Sequence, residues 1–195
     1  MSDAVAAIRA GRPVVLPTDT VYGLCGDPGR EAVAREVARL KGRAERQPIA
    51  LLAGAVDALL ERVPELDRRP LDALLPGPYT LVLPNPQRRY PWLTGGSATI
   101  GVRVPDLPPS AADVLHAVGA VFATSANVHG GPDPAQVEDI PEEILRAAAA
   151  VVDAGALPGT PSTVIDLTGP EPRVLREGAV LAPEALAKIA RATTG

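Results

Sequence analysis

A chain of 195 residues suits one domain; it is long enough to bury roughly 70% of its unfolded surface, and with Cys25 as its single cysteine it forms no internal disulfide. Nineteen basic against 23 acidic side chains leave a net charge of −4 and a pI near 5.2, which disfavours polyanionic partners. Five aromatic residues (Tyr22, Tyr79, Tyr90, Trp92 and Phe122) are too scattered to stack single-stranded RNA, and the longest apolar run, Ala147 to Val152, is far short of the ~20 residues of a membrane span.

No charged-then-apolar leader opens the sequence, so a soluble cytoplasmic protein is expected, with Cys25 a small buried residue in a reducing compartment. In chain order, Ser2 caps an expected helix over Asp3–Ala10, followed by a strand over Val14–Leu16. The next helix, Glu31–Leu40, puts Val33, Val37 and Leu40 on one face. A strand over Ile49–Ala53 leads into helices over Ala55–Arg62 and Leu71–Leu75, then strands over Tyr79–Leu83 and Ala98–Val104. A helix over Ser110–Val118, a strand over Ala120–Thr124 and a helix over Glu142–Ala148 come next. Strands over Ala149–Asp153, Ser162–Leu167 and Arg173–Arg176, and a helix over Pro183–Ala192, complete the reading. The 22 prolines and 18 glycines are spread along the chain and mark sharp turns. Helices and strands mixed throughout, with no linker and no repeat, predict one α/β domain over residues 1–195 around a mixed sheet.

Two strand ends run into polar loops, PTDTVYG from Pro17 and TSANVHGG from Thr124, the places where α/β folds bind ligands. No phosphate loop of the G-x-x-x-x-G-K-[ST] type, no G-x-G-x-x-G and no G-x-S-x-G elbow is present. Two histidines and one cysteine make no zinc site. His116 reads as a helix side chain. His129 reads as a solvated loop residue, with pairing to Ser125 as the catalytic alternative. Thr18-Asp19-Thr20 either offers hydroxyls to a small polar ligand or caps a turn. Lys41-Gly42-Arg43 closes a helix, where basic residues and glycine are at home in any case. Arg103 lies on an otherwise apolar strand and must either pair with an acidic neighbour or reach a pocket.

Seven segments taken together carry more than each alone: PTDTVYGL (17–24), K-x-R (41–43), PGPYTLVL (76–83), TIGVRVP (99–105), TSAN (124–127), PSTVIDL (161–167) and LREGAV (175–180). In this order, over roughly residues 10 to 180, they resemble the YrdC-like family of threonylcarbamoyl-AMP synthases, whose signature is the K-x-R and S-x-N pair. The resemblance implies a single α/β domain in which a twisted mixed sheet, flanked by helices, curves around a concave cavity. It also implies an enzyme that converts L-threonine, bicarbonate and ATP into threonylcarbamoyl-AMP and pyrophosphate, with Mg²⁺ on the triphosphate, and passes its product to a tRNA-modifying transferase. Residue by residue, it assigns Thr18, Arg103 and Ser162 to threonine, and Lys41, Arg43, Thr99, Ser125, Asn127 and Arg176 to ATP, with Lys41 and Arg43 solvent-facing and catalytic. No resident metal site is implied.

Two departures from the family pattern stand out. Val128-His129-Gly130 replaces the usual x-Ser-Gly after S-x-N, and Glu45 follows K-x-R closely. The chain ends about 20 residues after Arg176, as in the short, single-domain branch. A carbamate nucleophile is already an anion, so the absence of a His/Asp/Glu constellation agrees with the reaction. The alternatives are a non-catalytic RNA-binding module of the same fold, which the acidic balance disfavours, and a related carbamoyl-transfer activity.

Overall fold

The computed structural model describes residues 2–44 and 47–193. Ser2 accepts a hydrogen bond from the Val5 amide and caps α1 (Asp3–Arg9). There follow β1 (Val14–Pro17), β2 (Tyr22–Gly26), α2 (Glu31–Leu40), β3 (Ala50–Ala53), α3 (Val56–Arg62), α4 (Arg68–Leu74), β4 (Tyr79–Pro84), α5 (Pro91–Thr94), β5 (Thr99–Arg103) and α6 (Pro109–Val118). The last third holds β6 (Ala120–Ser125), a 3-10 turn (Val137–Asp139), α7 (Glu142–Ala147), β7 (Thr163–Asp166), β8 (Arg173–Arg176) and α8 (Ala182–Thr193).

The eight strands form one mixed sheet in the order β1-β2-β6-β3-β5-β4-β7-β8. β3 with β5 and β4 with β7 are parallel, and every other neighbouring pair is antiparallel. Alternation along each strand sorts side chains between the faces. Val15, Leu24 and Phe122 join Val33 and Val37 of α2, Leu93 of α5 and Ile144 of α7. Their neighbours Val14, Leu16, Cys25 and Val121 pack with α1 and α6 instead. Leu81, Val102 and Ile165 meet Leu59 of α3, Leu71 and Leu74 of α4, and Ile189 of α8. Each such fully buried side chain contributes about 1.5–3 kcal/mol. Cys25 lies in this core and burial pushes its thiol up to about 12, so it is an apolar filler.

The sequence reading of this α/β fold holds in class, and three details need correction. The polar loop PTDTVYG ends earlier than expected, since Tyr22 and Gly23, with the unassigned Leu24–Gly26, form β2, which pairs with β1 and β6. Ala149–Asp153, read as a strand, makes a single parallel bridge, Val151 to Val15, along the outer edge of β1. There Asp153 and Gly155 bend the chain around the Tyr22 hydroxyl, which donates to the Asp153 carboxylate at 2.9 Å and accepts from the Ala154 amide at 2.9 Å. α4 begins three residues before the expected start, because Asp67 accepts from the Arg69 amide and caps it. α2 ends as expected: Gly42, at φ +60, takes the left-handed conformation just past the helix.

Candidate functional site

A cavity of about 490 Å³ opens on the sheet between β2 and β8. Small residues on neighbouring strands, Gly23, Ala123, Ala50 and Gly101, form its floor. A Cβ on Gly101 would already stand 3.6 Å from Thr80 Cγ2 and 3.8 Å from Ala50. Glycine and alanine here keep the middle of the sheet open to a ligand.

At one end stands Arg103, the last residue of β5 and only 9% exposed. Its Nη2 donates to Asp19 Oδ1 at 2.8 Å and to Thr20 Oγ1 at 3.2 Å. Its Nε is buried without a partner. Burial holds the Arg103 guanidinium below its ordinary pKa, with Arg176 adding repulsion, and it holds Asp19 above its own, so desolvation outweighs their attraction in both. Opposite, Ser162 Oγ and Thr80 Oγ1 share a hydrogen bond of 2.7 Å, and Arg176 Nη2 donates to the Ser162 carbonyl at 2.8 Å. The Thr18 hydroxyl is committed to its own turn. It accepts from the amides of Thr20 and Val21 at 3.2 Å each and donates to the Val21 carbonyl at 2.7 Å.

At the other end, Arg43 Nη1 donates to Thr124 Oγ1 at 3.1 Å and Nη2 to the Pro48 carbonyl at 2.6 Å, while Nε is buried without a partner among the described residues. Burial lowers the Arg43 pKa. Lys41 is behind this wall. Its ammonium donates to the carbonyls of Ser125 and Asn127 and to Asn127 Oδ1, the last at 2.7 Å, which uses all three of its hydrogens. Asn127 in turn donates to the Gly131 carbonyl at 2.7 Å, and its Oδ1 also accepts from Ser125 Oγ at 2.7 Å. The lysine therefore folds the turn after β6.

The sequence pattern of the Sua5/YciO/YrdC family, described as telomere recombination, matches residues 6–178. The chain belongs to the Sua5/YciO/YrdC family. A relative from Mycobacterium tuberculosis is 35% identical over 181 residues, covering 91% of this chain and 83% of its own. The threonylcarbamoyl-AMP synthase of Stenotrophomonas maltophilia is 34% identical over 159 residues, covering 78% of this chain and 85% of its own. Among solved structures, P. abyssi Sua5 complexed with L-threonine superposes with a TM-score of 0.85 at 31% identity, over 95% of this chain and 56% of that one.

Of the residues that the family resemblance assigns, Thr18, Arg43, Thr99, Arg103, Ser125, Ser162 and Arg176 line the cavity of this Sua5/YciO/YrdC chain. Lys41 and Asn127 lie behind its wall. The expectation that Lys41 faces solvent is wrong: it is 3% exposed, because the turn after β6 folds over it. His129 is exposed, and Ser125 Oγ turns to Asn127, so no Ser–His pair forms. Glu45 lies outside the described residues. Sequence reasoning missed Thr80 and Asp133, which also line the cavity; the acidic neighbour expected as one alternative for Arg103 is Asp19, of the Thr18-Asp19-Thr20 run. A threonine within an apolar strand and a carboxylate inside the loop after TSAN were the available signals.

Proposed function

We propose that this protein is a threonylcarbamoyl-AMP synthase that joins L-threonine, bicarbonate and ATP and releases pyrophosphate, the first step of threonylcarbamoyladenosine formation in tRNA. The observation that supports it most is one cavity that, among the described residues, holds three guanidinium groups, Arg43, Arg103 and Arg176, and one lining carboxylate, Asp133. Such a cavity is suited to two anionic substrates brought together. Its volume of about 490 Å³ lies in the ordinary range for small-molecule sites.

In this reading the threonine amine attacks carbon dioxide derived from bicarbonate, forming the N–C bond and giving its proton to solvent. A carbamate oxygen then attacks the α-phosphorus, and the bond from that phosphorus to the β-phosphate oxygen breaks to expel pyrophosphate. Arg103 holds the threonine carboxylate through Nη1, the donor that Asp19 and Thr20 leave free, and Ser162 and Thr80 read the polar side chain. Thr18 contributes the turn that shapes this end, since its hydroxyl is spent. Arg43, Thr99, Ser125 and Arg176 hold ATP, and charge gathering on the phosphoryl oxygens is met by the arginines. Alignment of the two reactants supplies about 7–11 kcal/mol of barrier reduction.

Mg²⁺ fits as an ion carried by the triphosphate. Among the described residues no group of three or more His, Cys, Asp or Glu can hold a metal, and Asp133 is the carboxylate within the cavity. When bound, the ion would neutralise phosphate charge. We assign the whole chain to one domain and place it in the cytoplasm, passing its labile product to a tRNA-modifying transferase without binding RNA tightly itself; no helix among the described residues is long and apolar enough to cross a membrane. The test is pyrophosphate release with each substrate omitted in turn. Release is expected to need both threonine and bicarbonate. Pyrophosphate formed without threonine would make the protein a simple pyrophosphohydrolase instead.

A further inference from the structure

Among the described residues Arg103 is one of three cavity arginines, and the one of them tied by its tip to a largely buried carboxylate. The side chains of Arg103 and Asp19 are 11% and 9% exposed. Asp19 uses both oxygens: Oδ1 takes Arg103 Nη2 at 2.8 Å, and Oδ2 takes the Asp106 amide at 3.2 Å, from the loop that follows β5. Thr20 Oγ1 receives the same Nη2 at 3.2 Å and sits 2.9 Å from Thr18 Oγ1, so the guanidinium tip is held from the β1–β2 loop by two side chains. Asp19 itself does not line the cavity. Nη2 is the nitrogen common to both two-donor faces of a guanidinium, and its two hydrogens go to Asp19 and Thr20; Nε is buried, so Nη1 is the donor left for a ligand.

We propose that Asp19 is a positioning residue for substrate binding: it fixes the rotation of the Arg103 guanidinium, so that Nη1 is presented to the carboxylate of an α-amino acid. The inference rests on the threonine reading given above. A charge-assisted bond from Nη1 is strong only when the planar group is turned so that its N–H points along the line to the acceptor. Asn at position 19 keeps the size but not the chemistry. Its one oxygen can serve Arg103 or the Asp106 amide, and its NH₂ then meets a donor on the other side. Glu keeps the charge and both acceptors on a longer stem.

The experiment is calorimetric titration of L-threonine, and separately of ATP, into wild type, Asp19→Asn and Asp19→Glu, with thermal melting of each. Wild-type binding of threonine tests the functional reading on its own; without it both that reading and this proposal fall. Given that binding, Asp19→Asn is expected to weaken threonine about ten-fold or more while ATP stays within about two-fold, and Asp19→Glu to recover part of the loss. A purely structural aspartate would weaken both ligands in the same proportion, and an idle one would weaken neither. Either result overturns the proposal. Should Asp19→Asn fail to fold, Thr20→Val removes the second holder of the same nitrogen. It is expected to weaken threonine several-fold and spare ATP; equal or absent effects there count against the proposal in the same way.

Discussion

Lys41 is an ammonium with three protein acceptors and almost no contact with water. Its replacement by methionine strands the carbonyls of Ser125 and Asn127, at a cost of about 1–3 kcal/mol for each buried group. Lys41→Met is therefore expected to melt several degrees lower as well as to lose ATP affinity. A melt identical to wild type would show that the ammonium does not hold the turn. Burial, with Arg43 adding repulsion, brings the Lys41 pKa down from its ordinary 10.5 to about 8, while Asp133 pulls the other way. A folded pKa below the unfolded one means that the unfolded chain holds more protons between about pH 8 and pH 10.5. The cost of burying the charge is thus complete below pH 8 and is relieved as pH rises to 10.5, so this residue's share of stability increases over that interval. In the folded protein the ammonium that holds the turn is itself lost around pH 8. ATP affinity is expected to fall between pH 7.5 and 9.5 in wild type and to stay flat, and low, in Lys41→Met; parallel profiles would contradict this. Arg103→Lys keeps the charge without the planar fork, and calorimetry is expected to show threonine affinity reduced ten-fold or more with ATP binding intact. Unchanged threonine binding would leave Arg103 a structural partner of Asp19.

Much of this was legible in the chain. Thr18, Arg43, Arg103, Ser125, Ser162 and Arg176 reach one cavity from six separate segments, as the ordered motifs anticipate. Lys41 was not legible in its detail, since a helix-ending lysine reads the same whether it points to water or beneath a loop that arrives 84 residues later.

At the scale of elements, β2 explains why pattern reading stops short. Tyr22-Gly23-Leu24-Cys25-Gly26 is buried on both faces, so it lacks the alternation that marks a strand, and its two glycines mimic a turn. Those glycines have separate reasons. Gly23 keeps the cavity floor open, and a Cβ on Gly26 would stand 2.6 Å from Phe122 Cζ and 2.7 Å from Val33 Cγ1. Both neighbours are core side chains without room to retreat, and Gly26→Ala is expected to cost about 1–3 kcal/mol in chemical denaturation. Gly178, just past β8, is tighter still: a Cβ there would meet the Pro161 carbonyl oxygen at 2.2 Å and Ser162 carbonyl carbon at 2.7 Å. Gly178→Ala must push the Pro161–Ser162 backbone, and with it the carbonyl that receives Arg176. Activity is expected to fall further than stability; full activity in a stable variant would detach this segment from the site. The misread Ala149–Asp153 stretch shows the opposite case. Its apolar run is suited to a strand, but the Tyr22 hydroxyl turns the chain after a single bridge, and a contact across 132 residues leaves no local pattern.

At the scale of the whole molecule, the sheet order brings sequence-distant loops onto one surface. β3 and β5 are parallel neighbours at its centre, flanked by β6 and β4. β6 carries Ser125, β5 carries Arg103, and β7 and β8 bring Ser162 and Arg176 to the far side, so residues from distant segments line one cavity over a floor of small residues. The net charge of −4 stands beside a cavity lined, among the described residues, by three arginines, an arrangement that concentrates positive charge at one place on an otherwise acidic chain. The central claim is that threonine acts only after it has captured one carbon from bicarbonate. Incubation with carbon-labelled bicarbonate, threonine, ATP and Mg²⁺, followed by separation of nucleotides, tests it directly. The account predicts label in a new adenylate in equal amount to the pyrophosphate released. Pyrophosphate released with threonine but an unlabelled adenylate would mean that threonine itself is adenylated, and would contradict the account.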